Sequence, residues 1–315
     1  MIALNERIRG GVTGLLIGDA LGVPYEFHLK QKIPPASEIE FTPPLDFQRS
    51  HTTVLPGTWS DDGAHALILL ASLLHCSRLD LDDLGGRLVN WYNHGYKAVD
   101  EVVFDVGVQT SHAISRLEYG IPSHEAGSTA EQANGNGSLM RVLPLAIWHK
   151  GTDQDLVWDA HKQSVITHGH LRSQICCALY CLWARYTMAG SPDSWYRAVA
   201  GLRAIYGDES NERQELEWSI RPDDPPEGEG TGYVVDCLRS ARWAVEAGGY
   251  EDVVKAAISL GRDTDTTACV AGGIAGLRDG IDSIPQRWKD GLRGQELYQD
   301  ELERLVNWRC ATEFV

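Results

Sequence analysis

Two short segments of the chain combine neighbouring carboxylates with a hydroxyl group. The first acidic cluster consists of Ser60, Asp61 and Asp62, and the second acidic cluster consists of Asp263, Asp265 and Thr266. All of these side chains are hard oxygen donors, which suit Mg²⁺ or Mn²⁺. Ser or Asp before an apolar helix is ordinarily an N-cap, and an acid beside it complements the helix dipole. Capping explains one acid well, but it explains two adjacent acids plus a hydroxyl poorly.

The two clusters are more informative together than either is alone. Each directly precedes an apolar segment, 64–74 or 268–277, and about 200 residues separate the clusters. The second cluster lacks the glycine and ligand spacing of an EF-hand loop. Carboxylates that meet at a buried helix end repel one another, and cations relieve that repulsion. We therefore predict that the two clusters meet and bind divalent cations.

Helical periodicity dominates the rest of the sequence. Apolar residues recur at intervals of three and four from Ile8 to Ala20, which indicates one helix face. Further apolar segments with a helical pattern are 64–74, 139–148, 175–186, 234–245 and 268–277. Segment 64–74 is apolar enough to be a central buried helix, and the glycines within 268–277 predict close packing against a neighbour.

Strand alternation is scarce, and three segments rich in Gly, Pro and Asn separate the helices. These segments are 34–56, 120–137 and 221–232, and none resembles a linker between domains. The sequence therefore predicts an all-α fold with a single compact multi-helix domain over residues 1–315, with functional loops collected at one end.

Composition limits the class of protein. The net charge of −16 argues against nonspecific nucleic-acid binding, which uses basic surface. The first apolar run follows Glu6 and Arg7 and is interrupted by Asp19, which is unlike a signal peptide or a membrane span. Seven irregularly spaced cysteines predict no disulfide framework. We expect a cytoplasmic monomer without a nucleic-acid or membrane partner.

Six segments together resemble the ADP-ribosylglycohydrolase family, which includes the dinitrogenase-reductase-activating glycohydrolase. They occur in the family's order between about residue 9 and about residue 288, and they are 18–27, 59–63, 104–107, 134–141, 167–170 and 263–266. This chain departs from the family's pattern at two positions. Ser60 stands where the family often has Thr, and Arg262 stands where it usually has Gly, which adds a bulky cation beside the site.

The resemblance implies an all-α fold with two Mg²⁺ or Mn²⁺ ions between the acidic clusters. Ser60, Asp61 and Asp62 would be ligands on one side. Asp263, Asp265 and Thr266 would be ligands on the other. Glu26 would lie in a mobile loop near the metals.

The resemblance also implies a cleft for the ligand. The Gly- and Asn-rich loop with Asn136, Gly137 and Ser138 can present backbone N–H groups to a diphosphate, although by itself it could be an ordinary connection. His168 would contact the ligand. Asp105 either caps the helix that follows or contacts the distal ribose or leaving group. Asp19 is expected to be structural, with hydrogen bonds within its own helical region.

The implied activity is metal-dependent hydrolysis at C1″ of an ADP-ribosyl group, with arginine-linked ADP-ribose on a protein or a small conjugate as the substrate. The metals would orient the ribose hydroxyls and a water molecule, and Glu26, Asp61 or Asp62 would take or relay the proton of that water. Alternatives are a binding module without turnover and a hydrolase of serine-linked or O-acetyl-ADP-ribose. A helical phosphohydrolase would need a His-Asp ligand pair, which the sequence lacks.

Overall fold

The computed structural model describes residues 2–311, and their regular structure is helical. Residues 2–311 contain no β-strand, only three isolated backbone bridges, so the all-α prediction is confirmed. The α-helices are α1 (Leu4–Gly22), α2 (Asp61–Cys76), α3 (Leu81–His94), α4 (Val108–Glu118), α5 (Leu143–Trp148), α6 (Asp153–Val165), α7 (Leu171–Met188), α8 (Ser194–Tyr206), α9 (Asn211–Glu215), α10 (Val234–Val245), α11 (Tyr250–Ile258), α12 (Thr264–Asp279), α13 (Gln286–Gly291) and α14 (Gln299–Cys310).

Short helical turns occupy parts of the connections between these helices. A π-helical turn at Leu216–Ile220 follows α9. The 3-10 turns are Val23–Tyr25, Lys30–Lys32, Ala36–Glu38, Val99–Glu101, Ser123–Glu125, Glu131–Ala133, Ile281–Ser283 and Gln295–Leu297.

Helices α1 and α12 form a close antiparallel pair. A Cβ atom added at Gly18 would lie 2.1 Å from the carbonyl oxygen of Ala268, and one added at Gly276 would lie 2.0 Å from that of Gly10. Only glycine permits backbones to approach this closely, so the close packing predicted for 268–277 is observed. The pairing brings the C-terminal end of α1 to the N-terminal end of α12.

Helix α2 lies in the core and begins beside that junction. Every residue from Asp61 to Leu73 is buried, as the apolar segment 64–74 predicts for a central helix. Its continuous apolar character lets α2 face neighbours on several sides, since burying apolar area is the main favourable contribution to folding. The N-terminus of α2 thereby meets the N-terminus of α12 inside the protein.

Segment 139–148 is helical over only part of its predicted length. Helix α5 begins at Leu143, and the backbone N–H groups of Leu139 and Met140 both donate to the carbonyl oxygen of Asn136 in a turn. Pro144 explains the difference. Proline fits the first turn of a helix, but further inside it removes a hydrogen bond and clashes with the preceding turn.

One continuous hydrophobic core joins helices from both ends of the chain. Cys176, Cys177 and Cys181 of α7 are fully buried free thiols within it. None of the helices in residues 2–311 has both the length and the apolar character that crossing a membrane requires.

Candidate active site

The first acidic cluster lies at the N-terminus of α2. Ser60 is the N-cap, and its hydroxyl oxygen accepts a hydrogen bond from the backbone N–H of Asp62 at 3.3 Å. The carboxylate of Asp19 accepts from the backbone N–H groups of Ser60 at 2.9 Å and Gly63 at 2.7 Å. Asp19 is therefore structural, but it caps a different helix from its own, contrary to the expectation of bonds within its own region. Because Asp19 and Ser60 satisfy the helix end, the carboxylates of Asp61 and Asp62 are left for another role.

The second acidic cluster lies at the N-terminus of α12. Asp263 occupies the N-cap position but makes no capping bond with its side chain; its carboxylate instead accepts from the Asn136 amide at 2.8 Å. The side chain of Asp265 accepts from the backbone N–H of Thr266 at 2.9 Å. Arg262 has a φ of 63°, so the turn before α12 passes through the left-handed region that favours glycine.

The structure brings the two clusters into contact. The hydroxyl of Thr266 donates to the Asp62 carboxylate at 3.3 Å. One carboxylate oxygen from each of Asp19, Asp62 and Asp265 lies within 4.8 Å of the other two, and the same holds for Glu26, Asp263 and Asp265. Carboxylates that are about 200 residues apart in sequence therefore share one buried site.

Burial makes this site unfavourable for negative charge. It raises the pKa of Asp61, Asp62 and Asp265 well above the usual range, and the neighbouring carboxylates raise it further. The buried oxygens Asp62 Oδ2 and Asp265 Oδ2 accept no hydrogen bond from any residue that the structure describes. A buried carboxylate oxygen without a donor is costly. Hard divalent cations fit this set of oxygen donors, because they supply both the missing contacts and the compensating charge.

Glu26 lies beside the clusters, directly after the 3-10 turn Val23–Tyr25. Burial, followed by the charges of Asp105 and Asp263 among others, raises its pKa to about 11. Its carboxylate pairs with Nε2 of His51 at 2.6 Å. The resemblance places Glu26 in a mobile loop; here, backbone hydrogen bonds tie this loop to the turn before α12. The backbone N–H of Phe27 donates to the carbonyl oxygen of Arg262 at 2.6 Å. The backbone N–H of Arg262 donates to the carbonyl oxygen of His28, also at 2.6 Å.

A cavity of about 610 Å³ opens over the acidic clusters. Its wall includes Asn136, Gly137 and His168, together with Glu26, Asp61, Asp62, Asp105, Asp263 and Thr266. A ligand in a cavity of this size would contact both the acids and the Asn- and Gly-rich loop.

The side chain of Ser138 does not line the cavity, unlike Asn136 and Gly137. Its side chain is fully buried, and its hydroxyl oxygen accepts from the hydroxyl of Ser164 at 2.9 Å beneath the cavity wall. The turn that starts at Asn136 directs this side chain towards α7, where the thiol of Cys177 also contacts it. Ser138 therefore packs the loop from behind, while its neighbours Asn136 and Gly137 line the cavity.

Asp105 lines the cavity and does not cap α4. That helix begins at Val108 after Gly107, without a side-chain cap. Asp105 has a φ of 55°, and its carboxylate lies close to Glu26 and His51. Burial and the charge of Asp263 raise its pKa to about 6, whereas a hydrogen bond with Asp265 lowers it. Of the two roles that the sequence leaves open, capping of α4 is not observed, and contact with a ligand stays a prediction.

Two side-chain contacts of the site have no signal in the sequence. His51 lies in a loop without periodicity, 25 positions from Glu26, yet it contacts the Glu26 carboxylate. The guanidinium of Arg262 donates to the carbonyl of Glu229 at 2.7 Å and pairs with the Glu229 carboxylate at 3.1 Å. Arg262 lines the cavity, and the guanidinium that replaces the usual glycine is paired with Glu229, which is not among the residues that line the cavity.

Comparisons with known proteins agree with this geometry. The family model described as ADP-ribosylglycohydrolase matches residues 1–314. The chain is 29% identical over 306 residues to "ADP-ribosylarginine hydrolase Tri1" of Serratia proteamaculans, covering 95% of this chain and 79% of that protein. It is 27% identical to "ADP-ribosyl-[dinitrogen reductase] glycohydrolase" of Rhodospirillum rubrum, covering 92% and 91%. A solved structure titled "ADP-ribosylglycohydrolase-related protein complex" matches with a TM-score of 0.76 and 28% identity, covering 97% and 98%.

Proposed function

This chain belongs to the ADP-ribosylglycohydrolase family, and we propose that it hydrolyses the bond between C1″ of ADP-ribose and an arginine side chain of a modified protein. The observation that carries the proposal is the meeting of two acidic helix N-termini on the floor of a 610 Å³ cavity. The relatives named as ADP-ribosylarginine hydrolases, from Serratia proteamaculans and Pseudomonas putida, support arginine as the leaving group.

The proposed cofactors are two divalent cations, Mg²⁺ or Mn²⁺. Ser60, Asp61 and Asp62 would hold them from the first acidic cluster, and Asp263, Asp265 and Thr266 from the second. When bound, such ions supply positive charge that lowers the pKa of water and orients oxygen groups of the substrate. The orphaned oxygens of Asp62 and Asp265 support this assignment.

Glu26 is the proposed proton acceptor of the reaction. Cleavage gives C1″ oxocarbenium-like character; water adds its hydroxyl to that carbon, and the guanidino nitrogen of the leaving arginine gains a proton. Glu26 can take a proton from the water only when it is ionised. Its pKa of about 11 requires positive charge among the carboxylates to bring it down, and His51 at 2.6 Å can carry the proton onward.

The Asn- and Gly-rich side of the cavity would hold the diphosphate. Asn136, Gly137 and His168 line this part of the wall, and the Asn136 amide donates to the Asp263 carboxylate at 2.8 Å, so the loop lies directly beside the second acidic cluster. Asp105 lines the cavity beside Glu26, and its carboxylate would accept a hydrogen bond from a distal ribose hydroxyl. These residues would hold the ADP-ribosyl group in place while bond cleavage occurs at C1″.

Product analysis with a panel of conjugates tests the proposed function. Arginine-linked, serine-linked and O-acetyl-ADP-ribose are incubated with the full chain, with Mg²⁺, with Mn²⁺ or with EDTA. We expect ADP-ribose from the arginine-linked substrate only when a divalent cation is present. Release of AMP would identify diphosphate cleavage instead, and binding without product would identify a binding module. Full turnover in excess EDTA would contradict the role of the cations.

A further inference from the structure

A buried arginine, which has no acidic partner among residues 2–311, lies behind the cavity wall. The side chain of Arg141 is fully buried, and it donates to the side-chain oxygen of Gln163 at 2.9 Å, the carbonyl of Gln163 at 2.7 Å, the hydroxyl of Thr167 at 2.8 Å and the carbonyl of Gly137 at 3.4 Å. All four acceptors are neutral. A buried cation held only by neutral oxygens is expensive, so its position calls for a functional explanation.

The hydrogen bonds of the Thr167 hydroxyl indicate the role of Arg141. The Thr167 oxygen accepts from Arg141 and lies 2.8 Å from Nδ1 of His168. A hydroxyl has a single proton to donate. Among the residues that the structure describes, Nδ1 of His168 is the only atom positioned to accept the proton of the Thr167 hydroxyl. If Nδ1 carried a proton instead, two donors would meet at this oxygen and the hydroxyl proton would have no acceptor. Nδ1 therefore accepts, and the proton of the neutral ring is on Nε2.

The Nε2 side of the ring faces the ligand loop. His168 lines the cavity. A Cβ atom added at Gly135 would lie 3.3 Å from Nε2, and one added at Gly137 would lie 2.9 Å from Cε1 of the same ring. Burial, with the charge of Arg141, lowers the pKa of His168 to about 3, so the ring is neutral near pH 7. The loop glycines thus leave room for an N–H group to face the cavity.

We propose that Arg141 and Thr167 are positioning residues that hold His168 as the Nε2–H tautomer, so that the cavity presents a hydrogen-bond donor to the anionic part of the ligand. The opposite tautomer would direct a lone pair at that anion and repel it. The identity of the anion, a diphosphate, rests on the proposed function; the tautomer itself does not.

Nuclear magnetic resonance of the full chain labelled with ¹⁵N-histidine tests the tautomer directly. The chain has 11 histidines, so the spectrum of His168→Gln assigns the His168 signals. We expect Nε2 to be protonated in the wild type. We expect Thr167→Val, which cannot donate to Nδ1, to give a mixed or reversed tautomer, and Thr167→Ser to restore the wild-type signal. Arg141→Met should also mix the tautomers, because the Thr167 oxygen is then free to accept from Nδ1.

Calorimetric titration with ADP-ribose measures the consequence for binding. Loss of one hydrogen bond to a charged group should weaken binding by about tenfold in Thr167→Val, and Thr167→Ser should bind as the wild type does. A wild-type Nδ1–H tautomer overturns the proposal, and so does unchanged tautomer or affinity in a folded Thr167→Val variant. Absence of arginine-linked turnover would defeat the proposed function alone, because the tautomer is measured without substrate.

Discussion

At the scale of single residues, the carboxylate of Asp265 links reactivity to stability. Its buried Oδ2 has no hydrogen-bond donor within the described part of the chain, and burial together with the charges of Glu26 and Asp105 raises its pKa. Asp265→Asn should lower metal-dependent turnover by about 100-fold or more, since it removes a negative charge and one of the proposed metal ligands. In EDTA, the melting temperature of the Asp265→Asn variant should be at least that of the wild type, because the substitution removes the repulsion between Asp265 and the neighbouring carboxylates.

Steady-state kinetics and thermal unfolding in EDTA measure both effects. Asp46→Asn is the matched control, since Asp46 is exposed in a loop away from the cavity. Wild-type turnover by Asp265→Asn, with the control also unchanged, would remove Asp265 from the site.

Glu26 gives a second prediction, which separates proton transfer from binding. Glu26→Gln keeps an oxygen that can accept from His51, but it cannot take a proton from water. We expect turnover to fall by roughly 10²- to 10⁴-fold while ADP-ribose affinity stays within about twofold of the wild type. Kinetics and calorimetry on one preparation measure these quantities. Full activity would transfer the role to a carboxylate of the first acidic cluster.

The sequence could identify only part of this site. Asp61, Asp62, Asp263 and Asp265 were predictable, because acids in excess of what a helix cap needs are conspicuous before an apolar segment. His51 was not, since its contact with Glu26 depends on how a long irregular loop folds back. The opposite case is Ser138, which the sequence placed in the cleft. A turn directs its side chain away from the cavity, behind the loop formed with Asn136 and Gly137.

At the scale of helices, the glycine-lined contact between α1 and α12 sets the position of both clusters. Gly18→Ala would force a Cβ to 2.1 Å from the Ala268 carbonyl, so the helices must separate. We expect a loss of about 3 kcal/mol or more in the free energy of unfolding, and a larger proportional loss of activity. Urea unfolding and kinetics measure the two.

Gly86→Ala in α3 is the control for that variant. A Cβ there meets nothing within 4 Å, and alanine is the better helix former. It should therefore stabilise the protein by about 0.5–1 kcal/mol. Equal effects of the two substitutions would show that helix propensity, and not the contact between α1 and α12, accounts for the result.

Helix boundaries and partners differ in how far the sequence predicts them. Period and composition predicted α10 at 234–245, and the glycines of 268–277 predicted close packing. The identity of the partner helix was not predictable, because pairing depends on contacts between distant segments. The start of α5 at Leu143 was within reach of the sequence, since Pro144 marks it.

At the scale of the whole molecule, the buried acids make stability depend on pH. Burial raises the pKa of Asp19 to about 7 and that of Asp105 to about 6, from an ordinary value of 3.8. At pH values between 3.8 and these raised pKa values, the folded state binds more protons than the unfolded state does. The stability that these two groups contribute is complete below pH 3.8 and is lost as the pH rises through their raised pKa values. The melting temperature in EDTA should therefore fall from about pH 5 to about pH 7.5.

Differential scanning calorimetry across that pH range measures the fall. Asp105→Asn should flatten it, and the exposed Asp46→Asn should leave it unchanged. Mn²⁺ should raise the melting temperature more at the upper end of the range, because ionised carboxylates bind it better. A melting temperature that rises with pH in EDTA would contradict the prediction.

The pairing of α1 with α12 also fixes when the protein can become active during its synthesis. Asp19 and Glu26 leave the ribosome early, whereas Asp263 and Asp265 follow about 240 residues later. Until then, the glycine face of α1 has no partner and the acids of α2 have no opposing cluster. Closing so long a loop is an entropic cost that only the complete contact offsets. Helix α1 is thus made long before its partner helix, and the two acidic clusters can face each other only after α12 has been made.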